Sequence, residues 1–449
     1  MAAIEIRITG RLLPDDLRLP MNLFAMKIST LRNGIHFIFR KSRNIKMAMT
    51  WFRSTILLMS FLLSVSSLFG QLVQLPIIPG AERTELYVPS LKNKKVGVVA
   101  NHASLINETH LVDSLIKREI NIVRIFSPEH GFRGKADAGE HLNNEVDRKT
   151  GIPIISLYGE NKEARKEQIA DLDVVVFDLQ DVGVRFYTYI STLTYILKAC
   201  SENNVDVVVL DRPNPNGHYI DGPVLESRFT TFVGLHPVPV VYGMSIGEYA
   251  QMVVGEKWNG TGNCHLRVIP VKNYEHSLFY SLPVKPSPNL PNMTSVYLYP
   301  SLCFFEGTVV SIGRGTDKPF QIIGHPDYVS GSYQFVPESK PGMSSNPKLM
   351  GRTCSGIDLS NRNIDSLLKY PRIELSYLLD FYQKLPNKKE FFTNYFNLLA
   401  GNATLKQQII EGLSENEIRN SWAFEIEKFK KIREKYLLYR DFESRIDLK

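Results

Sequence analysis

The residues best suited to do chemistry lie in the segment 126–134, which has the sequence FSPEHGFRG. Within five positions this segment supplies a carboxylate from Glu129, an imidazole from His130 and a guanidinium from Arg133. A positioned carboxyl group can give or take a proton in a transition state, and a neighbouring imidazole can orient it. A proline before Glu129 and a glycine after His130 predict a rigid loop. The segment therefore indicates acid–base catalysis, with Glu129 as the leading candidate.

The elements that position these groups are predicted strands, which appear as aliphatic runs followed by polar residues. The runs cover residues 95–100, 120–126, 153–158, 173–177 and 206–210. Helical patterns lie between them at residues 105–119, 161–170 and 189–203. This alternation predicts an α/β fold, a parallel sheet with helices on both faces, in which ligands bind outside the carboxyl ends of the strands. We therefore expect one shared edge for the polar residues that follow the runs, namely Asn101, His102, Glu129, His130, Asp178, Gln180, Asp181, Asp211, Arg212 and Asn214.

Several of these polar residues also have a purely structural explanation. A single histidine such as His102 is commonly hydrogen-bonded within the fold. Asp211 and Arg212 can form a salt bridge before a proline-rich turn. Asp178 is unfavourable at a buried strand end unless it is paired, for which Arg185 or the backbone is available. Catalytic and structural roles therefore both stay open at these positions.

A second motif, GMSIG at residues 243–247, follows an apolar run at 238–242 that is predicted to be a strand. A G-x-S-x-G sequence between a strand and a helix is the context of a nucleophile elbow, with Ser245 as the nucleophile. Ser245 and Glu248 also match an S-x-x-E capping box, which explains the serine without catalysis. A serine hydrolase is therefore an alternative to a carboxylate mechanism.

The proline-rich loop 283–291 marks a predicted boundary between a domain at 71–290 and a smaller α+β domain at 291–449. In the second domain, Glu306 and Arg314 are candidates for a second carboxylate and its partner. The glycines at 313 and 315 resemble a phosphate-binding nest, but we expect them to allow close backbone packing instead. The chain beyond residue 360 is predicted to be mostly helical. One helical face is predicted to be core and consists of Phe424, Phe429, Ile432, Tyr436 and Leu437.

Composition and charge narrow the class of protein. The 449 residues are 43% hydrophobic and 22% charged, which is typical of a globular chain long enough for two domains. The formal charge of +7 arises in residues 1–70, which hold ten Lys/Arg and three Asp/Glu and leave 43 of each elsewhere. The neutral remainder gives no basis for a nucleic-acid partner.

The basic prefix predicts targeting rather than fold. Residues 47–70 have the basic, apolar and polar layout of a secretory signal peptide, with an uncleaved membrane anchor as the alternative. Methionines at 21, 26, 47 and 49 allow a later start, so residues 1–46 are interpreted as an untranslated or disordered extension. We expect an exported protein, periplasmic or secreted, with no stable membrane span after signal cleavage. Its four cysteines lack a C-x-x-C pattern, which argues against a zinc site, and export permits a disulfide without requiring one.

Seven ordered segments resemble the exo-β-N-acetylmuramidases of peptidoglycan recycling, a family long catalogued as a domain of unknown function. These segments are FSPEHGFRG (126–134), DLQDVGVRFYTYISTL (178–193), LDRPNPNG (210–217), GMSIGE (243–248), PSPNLP (286–291), FEGTVVSIGRGT (305–316) and REKYLLY (433–439). The similarity spans about residues 90–440. It implies a Rossmann-like first domain, a second domain that completes an active-site cleft, and release of N-acetylmuramic acid from non-reducing ends. It also implies that Glu129 is the catalytic acid.

Glycoside hydrolysis of this kind needs an acid and usually a second carboxylate. His130 is expected to orient Glu129. Four residues compete for the second role, Asp178, Asp181, Asp211 and Glu306, and the substrate's own acetamido group is a further alternative. The lactyl carboxylate of muramic acid is expected to bind a guanidinium fork from Arg133, Arg185, Arg212 or Arg314. Further substrate-binding candidates are Asn101, Gln180, Asp181, Tyr187, Asp211 and Asn214.

The expected partners are muropeptides or disaccharides derived from peptidoglycan, with no cofactor and no metal. The sequence does not indicate an oligomeric state. A non-catalytic periplasmic sugar-binding protein, which also has two α/β lobes around a cleft, is the third alternative.

Overall fold

The computed structural model of the protein describes residues 75–129, 131–133, 145–159, 161–260 and 264–442. His130, the predicted signal peptide at 47–70 and the predicted extension at 1–46 lie outside the described residues. Among the helices of the described part, none is both long and apolar enough to cross a membrane.

A seven-stranded sheet lies at the centre of the fold. Its strands are β1 (Val96–Ala100), β4 (Ile122–Ser127), β5 (Glu145–Val146), β6 (Pro153–Ser156), β7 (Val174–Asp178), β8 (Asp206–Leu210) and β9 (Leu266–Ile269), and β2 (Leu105–Ile106) and β3 (Thr109–His110) form a separate hairpin. The order across the sheet is β5-β6-β4-β1-β7-β8-β9, and every pair is parallel except β5 with β6. The six parallel strands thus have the 3-2-1-4-5-6 order of a Rossmann fold.

The described residues form two groups of helices, those that cover the two faces of this sheet and those of the C-terminal part. They are α1 (Thr84–Leu91), α2 (Leu111–Lys117), α3 (Lys166–Ile169), α4 (Tyr189–Glu202), α5 (Ile246–Gly255), α6 (Met293–Leu302), α7 (Ile364–Lys369), α8 (Ser376–Lys384), α9 (Phe396–Ala400), α10 (Thr404–Ile410) and α11 (Glu415–Arg433). Successive strand side chains point to opposite faces, so in β1 Val98 packs with α1 and α2 while Val99 packs with α4 and α5. The predicted parallel sheet with helices on both faces is confirmed.

The C-terminal part is smaller and mixed. Its antiparallel sheet has the order β10-β12-β11 and consists of β10 (Ile322–His325), β11 (Tyr333–Phe335) and β12 (Cys354–Asp358). Helices α6 to α11 belong to the same part of the chain, and buried residues such as Phe304 and Phe381 share one apolar core with residues of α4 and α5. The predicted α+β character is therefore confirmed. One apolar core contains residues from both sides of position 290/291. The predicted domain boundary at that position stays a prediction.

Local predictions failed where a long-range contact or a turn replaced the expected element. The side chains of the run 238–242 are buried in the core. Its backbone forms isolated bridges at Val241 instead of a strand in a sheet. The helical pattern at 105–119 begins with the β2-β3 hairpin, because Asn107 adopts a positive φ of 52° and turns the chain. The pattern at 161–170 forms only the short helix α3. In α11 the buried stripe excludes Phe424, which is 68% exposed, so its predicted core position is wrong.

Candidate active site

The carboxyl end of β4 delivers Glu129 to a cleft between the two parts of the chain. β4 ends at Ser127, and Glu129 lies two residues later at the edge where β1 and β7 also end. A cavity of about 60 Å³, the first cavity, opens beside it. Its lining residues are Glu129, Phe186, Tyr187, Thr188, Tyr189, Ser287, Asn289, Leu290, Tyr299, Arg314 and Phe320. This is the position that Rossmann topology favours for a ligand, near the switch point of the strand order.

The surroundings of Glu129 favour its protonated form. Burial raises the pKa of the Glu129 carboxyl, and the negative charge of Glu306 raises it further. A hydrogen bond from the Tyr158 hydroxyl and the positive charge of Arg314 act in the opposite direction without reversing the shift. A carboxyl group held protonated closer to neutral pH is suited to act as a general acid.

The second carboxylate at this cleft is Glu306. It lies in the short 3-10 segment Cys303–Gly307, where its Oε1 accepts a hydrogen bond from Nε of Arg314 at 2.5 Å. The Arg314 guanidinium lies 5.1 Å from the centre of the Phe320 ring, and although burial lowers its pKa, Glu306 holds that pKa above its ordinary value. The two residues that the sequence singled out as a carboxylate and its partner are thus in direct contact.

A second cavity of about 220 Å³ adjoins the first, with Arg314 lining both. Its lining residues are Glu306, Val310, Ser311, Ile312, Arg314, Lys348 and Tyr395. Lys348 directs its ammonium at the backbone, donating to the carbonyls of Phe305 at 3.0 Å, Glu306 at 3.4 Å and Val310 at 3.2 Å, and also to that of Thr308. Burial lowers the pKa of Lys348 to about 8. Through its four hydrogen bonds to backbone carbonyls, Lys348 fixes the loop that carries Glu306.

Asp178 and Arg212 form a buried ion pair. Arg212 donates from Nε to Oδ1 of Asp178 at 2.5 Å and from Nη2 to Oδ2 at 2.8 Å, and both side chains are almost fully inaccessible. The same Nη2 also reaches the carbonyl of Leu105 at 3.1 Å. Both Asp178 oxygens are thereby bonded, so the structure places this predicted catalytic group and the predicted binding residue Arg212 in the frame beneath the site.

Asp211 joins the strand β8 to later parts of the chain. Its carboxylate accepts hydrogen bonds from the Ser245 hydroxyl at 2.7 Å, the Gly247 N–H at 2.7 Å and the Tyr439 hydroxyl at 2.5 Å. Burial raises the pKa of Asp211 to about 6. These bonds fix the start of α5 and the C-terminal segment rather than a ligand.

Ser245 has the geometry of a helix cap. It accepts from the Glu248 N–H at 3.2 Å and donates to Asp211, while Glu248 accepts from the Ser245 N–H at 2.9 Å. A serine nucleophile needs an adjacent general base, commonly a histidine, and His276 instead contacts Glu248 at 3.0 Å. The capping-box interpretation is confirmed, and the geometry gives no support to a serine hydrolase.

Arg185 and Arg133 are also engaged away from the cleft. Arg185 is fully buried and donates to the carbonyls of four residues, Pro223, Val238, Leu399 and Ala400, at 2.7–2.9 Å. Arg133 forms a two-point pair with Asp147 at 2.9 and 2.8 Å. Neither side chain lines the first or the second cavity.

Asp181, Gln180 and Asn214 form a second buried group beneath the edge. Asp181 accepts from the Gly183 N–H at 2.7 Å and from the Tyr242 hydroxyl, and burial raises its pKa to about 6. Gln180 donates to the Pro213 carbonyl at 2.8 Å and Asn214 to the Met244 carbonyl at 2.8 Å, bonds that hold the loops after β7 and β8.

Asn101 and Tyr187 approach the site more closely. Tyr187 lines the first cavity and donates its hydroxyl to the Pro286 carbonyl at 2.8 Å. Asn101 donates to the Tyr189 hydroxyl at 2.7 Å, and Tyr189 lines the same cavity. His102, offered as a structural histidine, bonds the Lys285 carbonyl at 2.8 Å. The structure thus brings four of the predicted residues to the cleft, Glu129, Tyr187, Glu306 and Arg314.

Several cleft residues were missed at the sequence level, and most of them had a usable signal. Tyr158 lies two residues beyond β6, at the same carboxyl edge as Glu129. Ser287 and Asn289 belong to the PSPNLP segment. Lys348 and Tyr395 had no local signal. Within the residues that the structure describes, no group of three or more His, Cys, Asp or Glu side chains is arranged to hold a metal ion.

An α/β fold with two carboxyl groups at its ligand-binding edge is consistent with the class of the glycoside hydrolases. The chain belongs to the NamZ family of exo-β-N-acetylmuramidases. Residues 96–294 match the family model described as exo-beta-N-acetylmuramidase NamZ, N-terminal, and residues 297–439 match its C-terminal counterpart. The family resemblance drawn from the motifs is confirmed, and with it the prediction of a glycoside hydrolase over the sugar-binding and serine hydrolase alternatives.

Individual relatives agree with this assignment. The chain is 38% identical over 373 residues to the peptidoglycan beta-N-acetylmuramidase NamZ of Bacillus subtilis, an alignment that covers 79% of this chain and 89% of that protein. A DUF1343 family protein from Bacteroides fragilis is 45% identical and superposes with a TM-score of 0.75 over 82% of this chain and 99% of the other. A second DUF1343 protein from that organism is 25% identical, with a TM-score of 0.68 over 81% and 99%.

Proposed function

We propose that this enzyme releases N-acetylmuramic acid from the non-reducing ends of peptidoglycan fragments, muropeptides or disaccharides, with Glu129 as the catalytic acid. The observation that carries the proposal is the raised pKa of a glutamic acid that lines a cleft shared with a second carboxylate. Membership of the NamZ family supports the choice of sugar and the exo mode of action.

Glu129 would donate its proton to the glycosidic oxygen as the bond to the departing sugar breaks. Its raised pKa keeps that proton available at higher pH than an exposed glutamic acid would. The Tyr158 hydrogen bond fixes the direction of the carboxyl group, which matters because proton transfer requires a heavy-atom distance of about 2.6–3.2 Å.

Glu306 is the carboxylate best placed for the second role. Asp178, Asp181 and Asp211 are each held by buried hydrogen bonds, whereas Glu306 lines a cavity and keeps Oε2 free of any hydrogen bond to the described residues. Its Oε1 lies 2.5 Å from Nε of Arg314, which fixes the direction of the carboxylate that would act as a base, a nucleophile or a group that orients the substrate's acetamido arm.

The test is a comparison of Glu129→Gln with Glu119→Gln on a chromogenic N-acetylmuramic acid glycoside. Glu119 is a matched control because, within the part of the chain that the structure describes, its side chain forms an ion pair only with Lys92 and is 89% exposed. We expect Glu129→Gln to lower kcat by about 100-fold or more, since the amide cannot donate an acidic proton. Full activity in Glu129→Gln would reject Glu129 as the acid.

We also propose that the enzyme is exported to the periplasm or beyond. The support is the layout of residues 47–70, whose apolar core is too short for a typical membrane span. Mass spectrometry of the protein from the native cell is expected to find a mature N-terminus near residue 71. Recovery of chains that keep residues 47–70 in the cytoplasm would contradict export.

A further inference from the structure

We propose that the second cavity binds the lactyl ether group of the muramic acid sugar, with the carboxylate held by the two Nη groups of Arg314. This inference rests on the proposed function and names the residue that separates N-acetylmuramic acid from N-acetylglucosamine. The two sugars differ only in that lactyl group. A site that distinguishes them must therefore contact it.

Elimination among the arginines supports Arg314. The guanidinium of Arg185 is bonded to four backbone carbonyls, that of Arg212 to Asp178 and that of Arg133 to Asp147. None of these three lines either cavity. Of the four arginines that the sequence offered for a carboxylate, Arg314 is the one that the fold brings to the cleft.

The hydrogen bonds of Arg314 leave one edge of its guanidinium available. Nε is bonded to Glu306, and neither Nη1 nor Nη2 makes a hydrogen bond to any residue that the structure describes. The guanidinium carbon lies 5.1 Å from the centre of the Phe320 ring, a cation–π contact that helps to hold the side chain in place. Two parallel Nη donors match the two oxygens of a carboxylate, which is the strongest and most directional arrangement for such a pair.

The charges and apolar surface of the second cavity also fit one lactyl group. Arg314 and Lys348 contribute two positive charges to the lining of the second cavity, and Glu306 contributes one negative charge. The carboxylate of one bound ligand would therefore bring the net charge of the cavity to zero. Lys348 adds charge without competing for the ligand, because its donors are directed at backbone carbonyls. Val310 and Ile312 supply apolar contacts for the lactyl methyl group. N-acetylglucosamine would leave this cavity unfilled and its excess charge uncompensated.

The experiment measures binding by calorimetry, so it does not depend on turnover. The probes are free N-acetylmuramic acid and its carboxamide, which have the same shape but differ in charge. We expect the unmodified enzyme to bind the acid about tenfold or more tightly than the amide, because hydrogen bonds to charged groups are the stronger ones. Arg314→Met is expected to bring the ratio close to one. Arg314→Lys keeps the charge but loses the fork, so its ratio is expected to fall roughly threefold or more.

Glu306→Gln is the matched control, since it removes the partner of Arg314 but leaves the Nη edge in place. We expect it to lose turnover while keeping the preference for the acid. A ratio near one in the unmodified enzyme, or an undiminished ratio in Arg314→Met, would overturn the inference. If Arg314→Met does not fold, the ratio of Arg314→Lys decides in the same way. An enzyme that fails to cleave any muramic acid glycoside would instead refute the proposed function, whatever the binding ratio.

Discussion

The ammonium of Lys348 lies 3.0 Å from the carbonyl oxygen of Phe305, a residue 43 positions earlier in the chain. Through this and three neighbouring carbonyls, one lysine shapes the backbone on both sides of Glu306. The second carboxylate of the cleft is thus positioned by two cations, since Arg314 holds its side chain and Lys348 holds its main chain.

Lys348→Met should remove the hydrogen bonds that hold the loop around Glu306 in place. Buried carbonyls would lose their donor, so we expect the free energy of unfolding to fall by about 2 kcal/mol or more in urea titrations. Misplacement of Glu306 should lower kcat roughly tenfold or more. Lys198→Met, which removes a surface pair with Glu163, serves as the control and should change stability by less than about 1 kcal/mol. An unchanged kcat in Lys348→Met would argue against a positioning role.

Tyr158→Phe should change the pH dependence of activity in a defined direction. The Tyr158 hydrogen bond lowers the pKa of Glu129, so its removal should raise that pKa further. Because the acid works only when protonated, the fall in kcat/KM on the alkaline side should move to higher pH. Glu306→Gln removes a negative charge that raises the pKa of Glu129, so that pKa should fall. The alkaline fall in kcat/KM of the remaining activity should then move to lower pH. Profiles of kcat/KM against pH test both signs, and movement of the two variants in the same direction would contradict this assignment.

Asp178→Asn tests the interpretation of the buried pair as part of the frame. The substitution leaves the Arg212 charge without its carboxylate, which should destabilise the fold by about 3–5 kcal/mol. The alkaline fall in kcat/KM of the remaining folded enzyme should keep its position, since Glu129 and its neighbours are unaltered. A shift in the pH of the alkaline fall in kcat/KM, with little loss of stability, would instead indicate that Asp178 takes part in catalysis.

The sequence predicted those features that depend on local pattern. Continuous aliphatic runs require burial on both faces, so the parallel strands and the edge that carries Glu129 followed directly. Glu306 and Arg314 were paired as candidates because they are only eight positions apart within one motif.

Features that depend on which side chains meet across the fold were not predictable in this way. Asp178, Asp211 and Glu129 all lie at or just after the end of a strand. Nothing local distinguishes the two that are bonded inward from the one that faces the cleft. Lys348 has no neighbouring motif, because its role is defined by carbonyls about 40 positions away. The run 238–242 has the composition of a strand, but its backbone pairs only through isolated bridges to Val184 and Asp221.

The hydrogen bond from Tyr439 to Asp211 joins residues 228 positions apart, and Arg433 donates to the Gly243 carbonyl in the same region. The strand β8 and the start of α5 therefore receive partners from residues about 190 to 230 positions later in the chain. We expect the Rossmann-like sheet to reach its final state only after translation has passed residue 439, so its folding depends on the second domain rather than preceding it on the ribosome.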